Sequence, residues 1–169
     1  RAQDVYYQMS TVKDAFIAAG TGGVSAMHDA TECGVFGGLF EIAAHSQVGM
    51  NIYLEKIVLQ EEVRKTCACF DIDPYRAISE GTLLVTVAKH KARKLVTALN
   101  KEGIPASVAG EVVDHKNGIT VFDGNNKFKL NSKLFTDETR GQMYDKKSFN
   151  ELSPDDQQKI RNYNFIFNQ

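Results

Sequence analysis

The hydrophobic period changes once between Thr82 and Gly103, and that change limits the folds open to the chain. Thr82 to Ala88 is a β-branched, apolar run, the composition of a central strand. From Lys89 to Glu102 the apolar residues Ala92, Leu95, Val96 and Leu99 recur at helical spacing, and Gly103 closes that helix. Ile104 to Asp114 then reads as another strand, so this stretch has the βαβ rhythm of a ferredoxin-like half.

The flanks extend the alternation. Val5, Met9, Val12, Phe16 and Ile17 mark the apolar face of an amphipathic helix, stopped by Gly20-Thr-Gly-Gly23. Val24 to His28 reads as a short buried strand, Cys33 to His45 as a helix, and Met50 to Leu54 as a half-buried strand. Gln60 to Phe70 is a helix facing inward through Val63, Cys67 and Phe70, and Asp71-Ile-Asp-Pro74 ends it. Lys116-Asn-Gly118 and Asp123-Gly124 are hairpin signals on either side of Ile119–Phe122, the second leading into Lys127–Leu130. The expected class is α+β, a mixed sheet with packed helices. One domain spans 1–131, followed by a 132–169 extension. In that extension Ser153-Pro-Asp-Asp156 starts a helix that ends in the aromatic stretch Tyr163–Phe167.

Composition excludes several function classes. Twenty basic residues balance 21 acidic ones, so nothing global pulls the chain toward nucleic acid or an anionic membrane. No apolar run approaches the roughly 20 residues of a bilayer helix. Three cysteines, an odd number, argue for a reducing, cytoplasmic setting rather than a disulfide framework. Cys67 and Cys69 have no companion pair at zinc-site spacing and read as ordinary helix residues. His45, His90 and His115 read as surface residues, and Lys89, Lys91, Arg93 and Lys94 as a solvated helix side.

Chemistry concentrates at the junction from Ala26 to Gly38. A strand ending near His28 and a helix beginning a few residues later bring Asp29, Thr31 and Glu32 to the open end of a sheet. A helix start offers unpaired N–H groups and partial positive charge, which suit an anion. Gly34, Gly37 and Gly38 leave room for close approach, at roughly 1 kcal/mol each inside a helix. The plainer alternative is that Asp29 and Thr31 cap the helix and the glycines allow tight helix–sheet packing. His28 reads more as a packed histidine than as a base, and Glu80 equally as an exposed turn carboxylate.

The run Ala26-Met-His-Asp-Ala-Thr-Glu-Cys-Gly-Val-Phe-Gly-Gly38 resembles the signature of the carboxy-terminal domain of the AIR synthase (PurM-like) superfamily. Val48–Ile52, Ile72-Asp-Pro74 with Ser79-Glu-Gly-Thr-Leu-Leu84, and Gly103-Ile104 to Gly110-Glu-Val112 are similar to its other motifs, in the same order over residues 10 to 122. The pattern is most like the hydrogenase-maturation dehydratases (HypE-like) and AIR synthase-related proteins. Cys33 stands where those sequences carry the first glycine of a pair, and no cysteine follows Cys69.

The resemblance implies an ATP-dependent enzyme that activates a substrate oxygen by phosphoryl transfer. Its ATP and magnesium would be held mainly by an amino-terminal domain, over which the present domain closes. It further implies a homodimer acting on a small-molecule or protein carboxamide-type substrate, with neither nucleic acid nor membrane as partner. Asp29 and Thr31 would take the catalytic role, and His28, Glu32, Gly34, Glu80 and Gly81 would bind substrate or phosphate, with no metal ligand among them. The domain by itself is expected to be inactive and to hold no nucleotide tightly. The rival expectation is a non-catalytic ligand-binding or oligomerisation domain.

Overall fold

The computed structural model describes residues 8–131 and the single position Pro154. Val5, Ser153 and Tyr163–Phe167, on which three expectations rest, lie outside them. The expected α+β class is the observed one. In chain order the elements are α1 (Val12–Thr21), β1 (Val24–Ala30), α2 (Gly34–Ser46), β2 (Gly49–Tyr53), α3 (Glu61–Cys69), β3 (Thr82–Val87), α4 (Lys89–Lys101), β4 (Gly110–Val113), β5 (Ile119–Asp123) and β6 (Asn126–Leu130).

The strands form two sheets. β1 and β3 pair antiparallel, and β4-β2-β5-β6 form a mixed sheet in which β2 and β5 run parallel. The composition of β3 suggested a central strand, yet among the described residues it pairs with β1 alone. Helices on both sides give it the half-buried character that its composition reported. β3 and β4 fall in different sheets, so the strand–helix–strand order of 82–114 is not a paired βαβ unit.

The strand expected from Ile104 shrinks to Gly110–Val113. Pro105 has no N–H to give to a ladder, and the Ala106 N–H goes instead to the Asn100 side chain at 3.1 Å. The Lys116-Asn-Gly118 signal is not a hairpin, because β2 lies between β4 and β5. The Asp114 carboxylate accepts the Lys116 N–H at 3.0 Å and winds a tight turn that carries the chain past the end of β2. The Asp123-Gly124 hairpin forms as read, with Asp123 opposite Asn126.

Two apolar clusters hold these layers. Phe36, Leu39, Ile42 and Ala43 of α2 pack on Met50, Ile52, Ile119, Val121 and Leu130 of the mixed sheet. Phe36 also stacks on Tyr75 with ring centroids 5.6 Å apart, an arrangement worth about 1 kcal/mol beyond its buried area. The second cluster joins Ala18 of α1 to Leu95 and Leu99 of α4 beneath β3. Here the expected α1 face is corrected in part, since Ile17 packs against this cluster as read. Val12 is 61% and Phe16 76% exposed, while the small residues Ala18 and Thr21 point inward. Helical spacing locates a stripe, but close approach to α4 selects the stripe with the smaller side chains.

Candidate functional site at the β1–α2 junction

β1 is longer and less buried than its composition suggested, with alternate residues exposed along Val24–Ala30. Alternation separates neighbours. Asp29 lies exposed opposite Leu83, whereas His28 lies opposite Leu84 on the face turned toward α2. There the His28 Nε2 is 2.6 Å from a Glu41 carboxylate oxygen. His28 therefore does not join Asp29. It borders a separate shallow groove of about 360 Å³ with Met27, Glu41, Ile42 and His45.

The other candidates converge. Ala30 pairs with Thr82, and the Ser79 N–H donates to the Thr31 carbonyl at 3.0 Å. Glu80 and Gly81 thus stand beside Thr31 and Glu32 at one end of the β1–β3 sheet. Asp29, Thr31, Glu32 and Glu80 are all exposed there. The Ser79 hydroxyl lies 2.8 Å from the Thr82 hydroxyl and braces the turn.

The start of α2 differs from the open anion site its sequence suggested. Cys33 occupies the cap position in a left-handed conformation at φ 60, and no side chain caps the helix, so neither Asp29 nor Thr31 plays that role. The Gly34 N–H goes to the Thr31 carbonyl at 3.1 Å and the Phe36 N–H to the Tyr75 carbonyl at 3.0 Å. Two donors that an anion would have used are therefore taken by the chain itself.

The glycines serve the same internal packing. A methyl on Gly34 would overlap the Ala77 carbonyl, one on Gly37 would lie 2.7 Å from the Glu32 carbonyl, and one on Gly38 2.7 Å from Leu84 and 2.9 Å from His28.

Sequence reasoning passed over two residues here. One is Ser79, the link between the two motifs. The other is Arg76, whose Nε is buried without a hydrogen-bond partner and lies 3.4 Å from the Asp73 carboxylate. The Arg76 N–H closes a β-turn on the Asp73 carbonyl, and the Asp-Pro start of that turn was the available signal. Among the described residues, no three His, Cys, Asp or Glu side chains are grouped to hold a metal ion. No helix there is long and apolar enough to cross a membrane.

Residues 2–123 match the family model described as AIR synthase related protein, C-terminal domain. The chain belongs to this family. Carbamoyl dehydratase HypE of Escherichia coli is 31% identical over 96 residues, 56% of this chain and 29% of that protein. Its crystal structure superposes with a TM-score of 0.64 and 27% identity over 72% of this chain and 38% of that one. Phosphoribosylformylglycinamidine synthase subunit PurL of Methanocaldococcus jannaschii is 26% identical over 163 residues, 94% of this chain and 21% of that protein. The hydrogenase maturation protein HypE in complex with ATP superposes with a TM-score of 0.60 at 22% identity, over 66% of this chain and 36% of that one. The chain spans well under half the length of each of these relatives.

Proposed function

We propose that this domain closes over the nucleotide site of an ATP-dependent enzyme that activates a substrate oxygen by phosphoryl transfer. The observation that carries the reading is the Thr31–Ser79 bond, which unites two separate family motifs at one exposed edge. Related HypE has been crystallised with ATP, and HypE and PurL are both among the proteins that this chain resembles.

The residues at the junction do not by themselves fit a triphosphate. Asp29, Glu32 and Glu80 are carboxylates, and the Gly34 and Phe36 N–H groups are already bonded. This domain alone therefore does not hold the transferred phosphate. Acceptors of this kind suit the N–H or O–H groups of a carboxamide-type substrate, or waters of a metal ion carried elsewhere. ATP and magnesium then belong chiefly to an amino-terminal domain, and the assembly is a cytoplasmic homodimer. Asp29 and Thr31 act on substrate, with Glu32, Glu80 and Gly81 lining the same edge, and catalysis rests on positioning and charge. Gly34 shapes the loop, and His28 braces β1 against α2.

The test is Asp29→Ala in the protein joined to its amino-terminal domain. ATP turnover should fall by roughly 100-fold with an unchanged melting temperature. Equal losses of stability and turnover would sink the catalytic reading. Tight magnesium-ATP binding by the present chain alone would sink the two-domain division. Phe16, at 76% exposure, favours one alternative, a non-catalytic oligomerisation domain. That alternative predicts self-association abolished by Phe16→Ser.

A further inference from the structure

The segment leading into α1 crosses the candidate site. Gly81 has φ +79, and a methyl built on it would overlap the Gln8 carbonyl and lie 2.9 Å from the Met9 Cα. The Gln60 side-chain amide donates to the Gln8 side-chain oxygen at 2.9 Å, which fixes the same segment from the side of α3. Three residues after Met9 α1 begins, anchored by Ala18 in the second apolar cluster and by Lys13, whose ammonium is 2.9 Å from the Glu102 carboxylate.

A continuous line of contacts runs from this segment to the junction. Gln8 and Met9 press on the bare backbone of Gly81, Ser79 braces Thr82 through their hydroxyls, and the Ser79 N–H holds the Thr31 carbonyl. We propose that Gln8–Met9 is a strap that sets the position of the Glu80–Gly81 turn and, through Ser79, of the Thr31 junction. Displacement of Gln8–Met9 then moves the site edge, so that this segment is mechanically coupled to it. The functional meaning of this coupling rests on the reading of that edge as a substrate site; its physical existence does not.

Gly81 is where the coupling can be separated from backbone preference. Gly103 has nearly the same φ, +76, but nothing lies within 4 Å of a methyl built there. Alanine at either position meets strain from a positive φ of nearly equal size, and only Gly81→Ala also meets the strap. In the full chain, Gly81→Ala should lower the melting temperature well beyond Gly103→Ala. It should also speed amide hydrogen exchange at Ser79 and Thr82 by roughly 5-fold or more, with β5 unaffected. Equal melting temperatures and equal exchange for the two variants would overturn the strap.

Should Gly81→Ala fail to fold, Gln60→Ala decides, since it removes the side-chain hydrogen bond that holds Gln8 without touching the turn. Faster exchange at Ser79 supports the proposal, and unchanged exchange there overturns it. None of these readouts uses turnover. Failure of the Asp29→Ala test would therefore leave the strap standing, and failure of the strap would leave the catalytic reading intact.

Discussion

Ser79 and Thr31 are 48 positions apart, yet the Ser79 N–H donates to the Thr31 carbonyl at 3.0 Å. The bond closes one end of the β1–β3 pair, where Ala30 faces Thr82. It places a turn with an exposed carboxylate, Glu80, near two more, Asp29 at the end of β1 and Glu32 in the loop that follows. A carbonyl committed to this bond cannot rotate toward a ligand. Thr31 is therefore open to a ligand through its exposed side chain and not through this carbonyl.

The backbone of the 75–77 segment is packed directly onto the first turn of α2, and Gly34 is the point of contact. Gly34→Ala would place a methyl over the Ala77 carbonyl and 2.8 Å from that of Tyr75, at a backbone φ of +61. The expected cost is about 3 kcal/mol or more, from overpacking added to left-handed strain. Gly20→Ala in α1, where a methyl meets nothing within 4 Å, should instead stabilise by roughly 0.5–1 kcal/mol. Urea unfolding of the two variants measures both signs.

The end of α2 carries an avoidable strain. Gln47 adopts φ 53 while its N–H closes the helix onto the Ala43 carbonyl, the backbone role that glycine fills most easily. Gln47→Gly should stabilise by about 0.5 kcal/mol, since its side-chain bond to the Ala44 carbonyl is exposed and contributes little. A lower urea midpoint than wild type would contradict the assignment.

Acid sensitivity should include a contribution from the start of α3. Hydrogen bonds from Arg64, and then from Lys65, hold the Glu61 carboxyl down at about 2 from its ordinary 4.5. A depressed carboxylate favours the folded state above its unfolded value, and that contribution disappears as pH falls through the folded value. The difference in melting temperature between wild type and Glu61→Gln should therefore be constant above pH 4.5 and shrink toward pH 2. A difference that does not change with pH would rule this out.

Cys67 should be the slower of the α3 thiols to react. Burial, and then the nearby Asp73 charge, push its thiol above the ordinary 9.0, so less reactive thiolate is present. Brief alkylation followed by peptide mass spectrometry should find Cys69, which is only partly buried, modified before Cys67. A group raised in this way favours the folded state below its unfolded value and loses that contribution at higher pH. Cys67→Ala should accordingly soften alkaline unfolding above pH 9.0.

Local chemistry made the order of elements legible. Leu95 and Leu99 announced α4, Asp123-Gly124 announced the β5–β6 hairpin, and the glycines after Cys33 announced a crowded helix start. Legibility stopped at choices made between distant segments. Lys116-Asn-Gly118 has hairpin chemistry, but β4 found its partner in β2. Val12 and Phe16 have helix-core spacing, but α4 took the side bearing Ala18.

The sequence by itself determined the periodicities, the α+β class, the family and the two motifs that supply Asp29, Thr31 and Glu80. Each of these is carried by residues within a few positions of one another. Tertiary structure alone decided that the strands split into two sheets, that His28 turns to Glu41 and away from Asp29, and that carbonyls of this chain occupy the first N–H groups of α2. Hydrogen bonds and close packing between segments tens of residues apart select among local patterns that are equally acceptable on their own. That selection leaves no periodic trace in the chain.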